Sequence, residues 1–226
     1  AARLEPPPDV IHCHDWQTGL VPALLRTTAG PRLARLPTVF TIHNLGYQGV
    51  FSADVWPLLG LDRRYFTPQH LEYYGQVNFL KAGLVFADAL TTVSPRYAEE
   101  IQTPEHGHGL DGVLRERRGV LRGIVNGIDT TQWDPRRDPH LAAPFSADDL
   151  SGKAACKAAL QRAWGLPIAP RVPLFGMVTR LAEQKGLDIL AAALPDLLAH
   201  DLQIMILGRG DERYERWLQE AGRRDP

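Results

Sequence analysis

The segment "GMVTRLAEQKGLDIL", residues 176–190, runs an apolar stretch into a short polar turn carrying Arg180 and Lys185, then into an amphipathic repeat. Its spacing predicts a strand over 173–179 and a helix over 185–199, with Leu187, Leu190, Leu194, Leu197 and Leu198 recurring at helical intervals to make one apolar face. A second strand over 203–208 and a helix over 211–220 repeat the alternation. Strands alternating with helices are the pattern of a parallel sheet covered by helices, because each crossover must return the chain to the same end of the sheet.

The first half of the chain reads the same way. "DVIHCHD" (9–15) is a short strand, and "GLVPALLR" (19–26) begins a helix for which Thr18 is a plausible cap. "TVFTIH" (38–43) is continuously apolar and β-branched, as strands covered on both faces tend to be. Asn44 to about Gly75 is irregular, rich in Gly, Pro and aromatics; stretches of that length are functional or hide short helices. "NFLKAGLVFADA" reads as a buried helix, "LTTVS" (90–94) as a strand, and Ser94 caps a helix with Pro95 in its first turn. After the helical "LDGVLRERRG", "RGIVNGID" reads as a strand that runs into the Pro- and charge-rich "TTQWDPRRDPHLAAPFS". A helix over 147–164 then stops at Gly165 with Pro167 beyond it. Two α/β units are expected: residues 1–133, a linker over 134–146, and residues 147–226.

Composition narrows the function. The 226 residues are 44% hydrophobic, with 25 basic and 26 acidic side chains and a net charge of −1, so no global field draws nucleic acid or an anionic membrane. Anion binding has to be local. The two cysteines, Cys13 and Cys156, lack CxxC spacing, which argues against a disulfide scaffold or a structural zinc site and fits a reducing cytoplasm. No apolar run approaches the roughly 18 residues that span a bilayer. Both methionines are internal and the chain opens on the linker-like "AARLEPPPDV", so a central piece of a longer protein is expected.

In open parallel sheets ligands bind beyond the carboxyl ends of the strands, where the next helix already presents N–H groups to an anion. Arg180 and Lys185 are placed to face one phosphate-bearing ligand there. Each charge-assisted hydrogen bond is worth roughly 1.5–3 kcal/mol, so two suffice to fix a pyrophosphate. Surface ion pairs with Glu183 or Asp188 are the plainer reading. His43 and Asn44 end the second strand; a satisfied core histidine is the alternative. Asp15 stands where it can cap a helix at "WQTGL". His12 and His14, two apart on a strand, point the same way, as in metal-dependent hydrolases, which also need further His and Asp ligands at later strand ends; the candidates are His43, His106 and His108, of which loop composition explains the last two. Asn126 and Gly127 fit either a hairpin turn or a loop contacting a ligand. Gly208, in "LGRGD", lets backbone approach a nucleotide, while Asp211 can cap the last helix. Tyr47, Phe51, Trp56, Tyr73 and Tyr74 form a sugar-stacking surface or pack internally.

Taken together, "DVIHCHDWQTGLVPALL", "TVFTIHNLGYQGVF", "NFLKAGLVFADALTTVSPRYAEEI", "VNGIDTTQWDP", "VTRLAEQKGLDIL" and "ILGRGDERYE" resemble, in this order, the bacterial glycogen synthase and plant starch synthase family of retaining glucosyltransferases. The resemblance implies an α/β fold of GT-B type, two Rossmann-like domains with parallel sheets, each incomplete in this chain. It implies ADP-glucose as donor, an α-1,4-glucan as acceptor, no metal and no separate cofactor, because Arg180 and Lys185 would hold the phosphates and stabilise the leaving diphosphate. His43 would bond the transferred glucose; Asp15, Asn44, Asn126, Gly127 and Gly208 would line the sugar and nucleotide sites. Another retaining GT-B glycosyltransferase, or a nucleotide-sugar or glucan-binding module, is the alternative. Family members also carry a Lys-Gly-Gly loop and a glutamate-containing motif that this sequence lacks, so the chain alone is expected to be inactive and poorly stable, and its choice between adenine and uracil stays open.

Overall fold

The computed structural model describes residues 8–225; most of the linker-like opening, residues 1–7, lies outside them. The chain divides into two compact units, one ending at Gly127 and the other beginning at Ile128.

In the first unit, β1 (Ile11–His14) leads through a 3-10 turn, Trp16–Thr18, to α1 (Leu20–Thr27), a four-residue α2 (Pro31–Ala34) and β2 (Thr38–Ile42). Thr18 does not cap α1. Its hydroxyl instead donates to the His14 carbonyl and accepts from the His14 N–H, closing the turn after β1, and Gly19 takes the cap position without a side-chain bond. The stretch read as irregular and the residues just after it hold three short strands, β3 (Val50–Ser52), β4 (Glu72–Tyr73) and β5 (Gln76–Asn78), joined antiparallel in the order β3-β5-β4, with 3-10 helices over Ala53–Leu59 and Arg63–Tyr65. Next come α3 (Phe79–Phe86), β6 (Ala89–Thr92), α4 (Pro95–Glu100), α5 (Asp111–Glu116) and β7 (Leu121–Gly123). Ser94 caps α4 as expected, accepting from the Tyr97 N–H, with Pro95 beside it. The main sheet is parallel throughout, β1-β2-β6-β7.

The reason for that sheet lies in its residues. Phe40, Ile42 and Leu90 are fully buried, and α3 lays Leu80 and Leu84 into the same core as Ile101, Leu110 and Leu114. Burying each such side chain favours folding by about 1.5–3 kcal/mol. Polar side chains also tie the elements together. Asp88 accepts from the Thr38 N–H and hydroxyl and from Arg26, which reaches on to the Ala34 and Leu36 carbonyls, so one cluster ties α1, α2 and the start of β2 to the start of β6. Lys81, buried on α3, donates to the carbonyls of Pro68 and Glu72 at 2.6 Å and 2.6 Å and so clamps the hairpin region to the helix. β7 is shorter than "RGIVNGID" suggested. It stops at Gly123, and Ile124 and Val125 stand exposed.

The second unit contains α6 (Gly152–Ala163), β8 (Leu174–Val178), a 3-10 turn over Glu183–Lys185, α7 (Leu187–Leu198), β9 (Gln203–Leu207) and α8 (Glu212–Arg224). β8 and β9 pair in parallel from Leu174↔Gln203 to Val178↔Leu207. Their core is small: Leu181, Leu187 and Tyr214, with Met177, Leu190, Ile206, Trp217 and Leu218 packed around them. Asp211 caps α8 by accepting from the Arg213 N–H.

Candidate functional site

The carboxyl ends of β1 and β2 are built by register. His14 lies opposite Thr41, and Thr41 opposite Thr91 on β6, so one row of polar side chains crosses the sheet. Within it His12 Nε2 meets Thr41 Oγ1 at 2.6 Å, and Thr41 Oγ1 meets Thr91 Oγ1 at 2.6 Å. The rings of His12 and His14 lie 4.2 Å apart, and His14 Nδ1 sits 3.0 Å from His43 Nε2. Burial, and then the charges that His14 and His43 would carry, hold the His12 imidazole below its ordinary pKa. His43 is exposed, at the strand end, and is therefore not the core histidine of the alternative reading.

Asp15 is not a helix cap either. Its Oδ1 accepts the His43 backbone N–H at 2.8 Å, while its own N–H donates to the Thr41 carbonyl, so the carboxylate locks the end of β2 to the end of β1. It does this with φ at 54° and ψ at −176°, a conformation that non-glycine residues adopt at a cost on the order of 1–3 kcal/mol and that concentrates at functional sites.

The loop after β2 is held from three sides. Leu45 is fully buried and its N–H donates to the Tyr97 hydroxyl, whose pKa burial pushes up. Gln48, also buried, accepts from Asn78 at the head of α3 and donates to the His108 carbonyl, which in turn accepts from the Tyr73 hydroxyl. Gly49, at φ 60°, lets the loop pass under the Trp16 indole, where a Cβ would collide with the ring. The result is a concavity of about 680 Å³ lined by Trp16, Tyr47, Phe51, Tyr73 and His108 among others. Of the five aromatics considered for sugar stacking, Tyr47, Phe51 and Tyr73 line it. Trp56 is in the core, and Tyr74 lines a separate concavity of about 650 Å³ beside Glu72 and Lys81.

In the second unit, Arg180 lies two residues past β8 and Lys185 one residue before Gly186, which opens α7; both are exposed. Glu183, one of the two ion-pair partners considered with Asp188, is engaged by Arg213 at 2.6 Å. Gly208 has a packing reason: a Cβ there would strike the Thr179 carbonyl, because the chain after β9 crosses directly over the end of β8. Asn126 and Gly127 are exposed at the end of the first unit, and no strand follows them to complete a hairpin; instead Asp129 turns the chain by accepting from the N–H and hydroxyl of Thr131 and from the Gln132 N–H. Among the described residues no group of three or more His, Cys, Asp or Glu side chains is arranged to hold a metal ion, and no helix is long and apolar enough to cross a membrane. The His14–His43 pair and the Thr41–Thr91 row were not anticipated. The His-x-His alternation of His12 and His14 is the available signal, and on its own it suggests a pair of metal ligands.

Residues 1–116 match the family model described as the starch synthase catalytic domain. A glycogen synthase of Anaeromyxobacter dehalogenans is 58% identical over 97% of the chain, and one of Syntrophotalea carbinolica is 52% identical over 97%. In both cases the chain spans 46% of the relative's length. Among solved structures, the catalytic domain of starch synthase IV from Arabidopsis thaliana, bound to ADP and acarbose, superposes with a TM-score of 0.87 at 38% identity, covering 96% of this chain and 46% of that one. The fold is therefore α/β of the GT-B type, represented by two partial parallel sheets. With its family model matched over half its residues, the chain belongs to the starch synthase catalytic-domain family.

Proposed function

We propose that the protein carrying this chain is a glycogen or starch synthase that transfers glucose, with retention, from ADP-glucose to the non-reducing end of an α-1,4-glucan. The observation that carries the reading is the pair of exposed cations at the β8–α7 turn, in a chain 38% identical to a starch synthase bound to ADP. Arg180 and Lys185 meet the diphosphate there, beside the helix start that favours an anion. Negative charge grows on the leaving phosphate in the transition state, and fixed cations that already face it need no reorganisation to stabilise it. His43 addresses the transferred glucose, and Asp15 fixes the position of His43 through its backbone N–H. The concavity bordered by Trp16 and Tyr47 offers aromatic faces to the acceptor glucan. Asn44, Asn126 and Gly127 contribute polar and backbone contacts to the sugars, and the backbone at Gly208, packed on the end of β8, contributes to the nucleotide side. The two cysteines are free thiols, which suits a cytoplasmic enzyme.

The test is donor competition with the complete gene product. Labelled glucose from ADP-glucose should enter glucan as α-1,4 linkages, with UDP-glucose competing weakly. Release of free glucose without chain extension, or incorporation from neither donor, would overturn the reading.

A further inference from the structure

We propose that His14 is a positioning residue for His43, selecting which nitrogen of that ring faces the transferred sugar. The proposal rests on the role given to His43 above. His14 Nδ1 lies 3.0 Å from His43 Nε2, and two neutral imidazoles at that distance share one proton: one nitrogen donates and the other accepts. With Nε2 so engaged, Nδ1 is the nitrogen of His43 left to address a ligand, and its protonation state is the complement of the bond that His14 makes. The hydrogen bond at one nitrogen of an imidazole thus sets the role of the other.

The surroundings hold His14 to this task. Its backbone is pinned on both sides by Thr18, its ring lies against His12, and His12 is anchored to Thr41 and through it to Thr91. On the other side the His43 backbone is bound by Asp15. The His14 ring and the His43 backbone are therefore fixed from behind, and the bond between the two rings is what sets the plane and tautomer of His43. Around the pair stand the ionisable groups His12 and Asp15 and, from α4, Tyr97 close to Asp15. None of these displaces His14 from Nε2.

Two substitutions separate positioning from simple packing. His14→Phe keeps a ring but removes both nitrogens; His14→Asn puts an amide where Nδ1 sat. Nitrogen-15 spectra of the histidine-labelled complete gene product at neutral pH should show one tautomer of His43 in the parent, a mixture of two in His14→Phe, and one again in His14→Asn. In the complete gene product, kcat for glucosyl transfer should fall roughly 10²-fold in His14→Phe with little change in the KM for ADP-glucose, the scale of a reacting geometry misplaced by about 1 Å. His14→Asn should recover most of that loss. An unchanged His43 tautomer in His14→Phe, or an Asn variant as impaired as the Phe variant, would overturn the proposal. Should the parent transfer no glucose, the functional reading fails while the spectra still decide the role of His14.

Discussion

The two units set their candidate residues over sheets of very different burial. In the first, each candidate residue at the sheet end is tied to its neighbours: His14 to His43, Asp15 to the backbone of β2, Gln48 to Asn78 and His108. These bonds sit over a core in which Phe40, Ile42, Leu84 and Leu90 are wholly buried. In the second, Arg180 and Lys185 stand exposed above a sheet whose strands are themselves half in solvent; Phe175 is 55%, Val178 78% and Leu207 50% exposed. The difference teaches that the proposed chemistry and stability are entangled in the first unit and separable in the second.

The largest expected break in that contrast is Phe40→Ala. Removing a fully buried ring from the main sheet should cost about 3–5 kcal/mol, seen as a lowered denaturant midpoint for the first unit while proteolysis of the second is unchanged. Simultaneous loss of both units would show that they do not unfold separately. Next come Arg180→Ala and Lys185→Ala, each expected to lower kcat on the order of 10²–10³-fold in the complete gene product. Their unfolding free energies should stay within about 0.5 kcal/mol of the parent, as for surface sites. A stability loss as large as the activity loss would return both residues to the structural ion-pair reading. Ser94→Ala sharpens the contrast at a smaller scale: loss of the α4 cap should cost about 1 kcal/mol in the first unit, measured by chemical denaturation, and leave transfer rates alone.

The smallest effect concerns pH. Burial pushes the Asp88 carboxyl upward, but hydrogen bonds from Thr38 and Arg26, with the Arg26 charge, outweigh it and leave the folded pKa below the ordinary value. The unfolded chain then binds the proton more readily, so this contribution is complete above the unfolded pKa of about 3.9 and is lost as pH falls through the folded value. Because Asp88 is half exposed, the contribution should stay under about 1 kcal/mol. Urea midpoints of the parent should decline in acid more steeply than those of Asp88→Asn; parallel curves would remove Asp88 as a source.

The alternation of strands and helices was legible because it is local. Apolar β-branched runs such as "TVFTI", the Ser94–Pro95 start of α4 and the Asp211 cap each carry their signal within a few residues. The antiparallel β3-β5-β4 sheet was not legible. Its strands are too short to show a period of two, and the turn between β4 and β5 puts a tyrosine, Tyr74, at φ 48° where Asn or Gly would have announced it. Thr18 misled because its hydroxyl satisfies β1 rather than α1. Arg180 and Lys185 were found at the predicted turn, whereas Gly208 could be explained only once the crossing over Thr179 was seen. The His14–His43 pair joins residues 29 apart and depends on the parallel register of β1 and β2, which no local pattern specifies.

The left-handed backbone at Asp15 has an outcome for anyone screening variants. Glycine would relax that dihedral yet forfeit the bond to the His43 amide, and these opposing changes are of similar size. Position 15 is thus a place where a melting curve stays nearly silent while the chemistry proposed for His43 is dismantled, and thermal-shift data alone would misfile such a variant as benign.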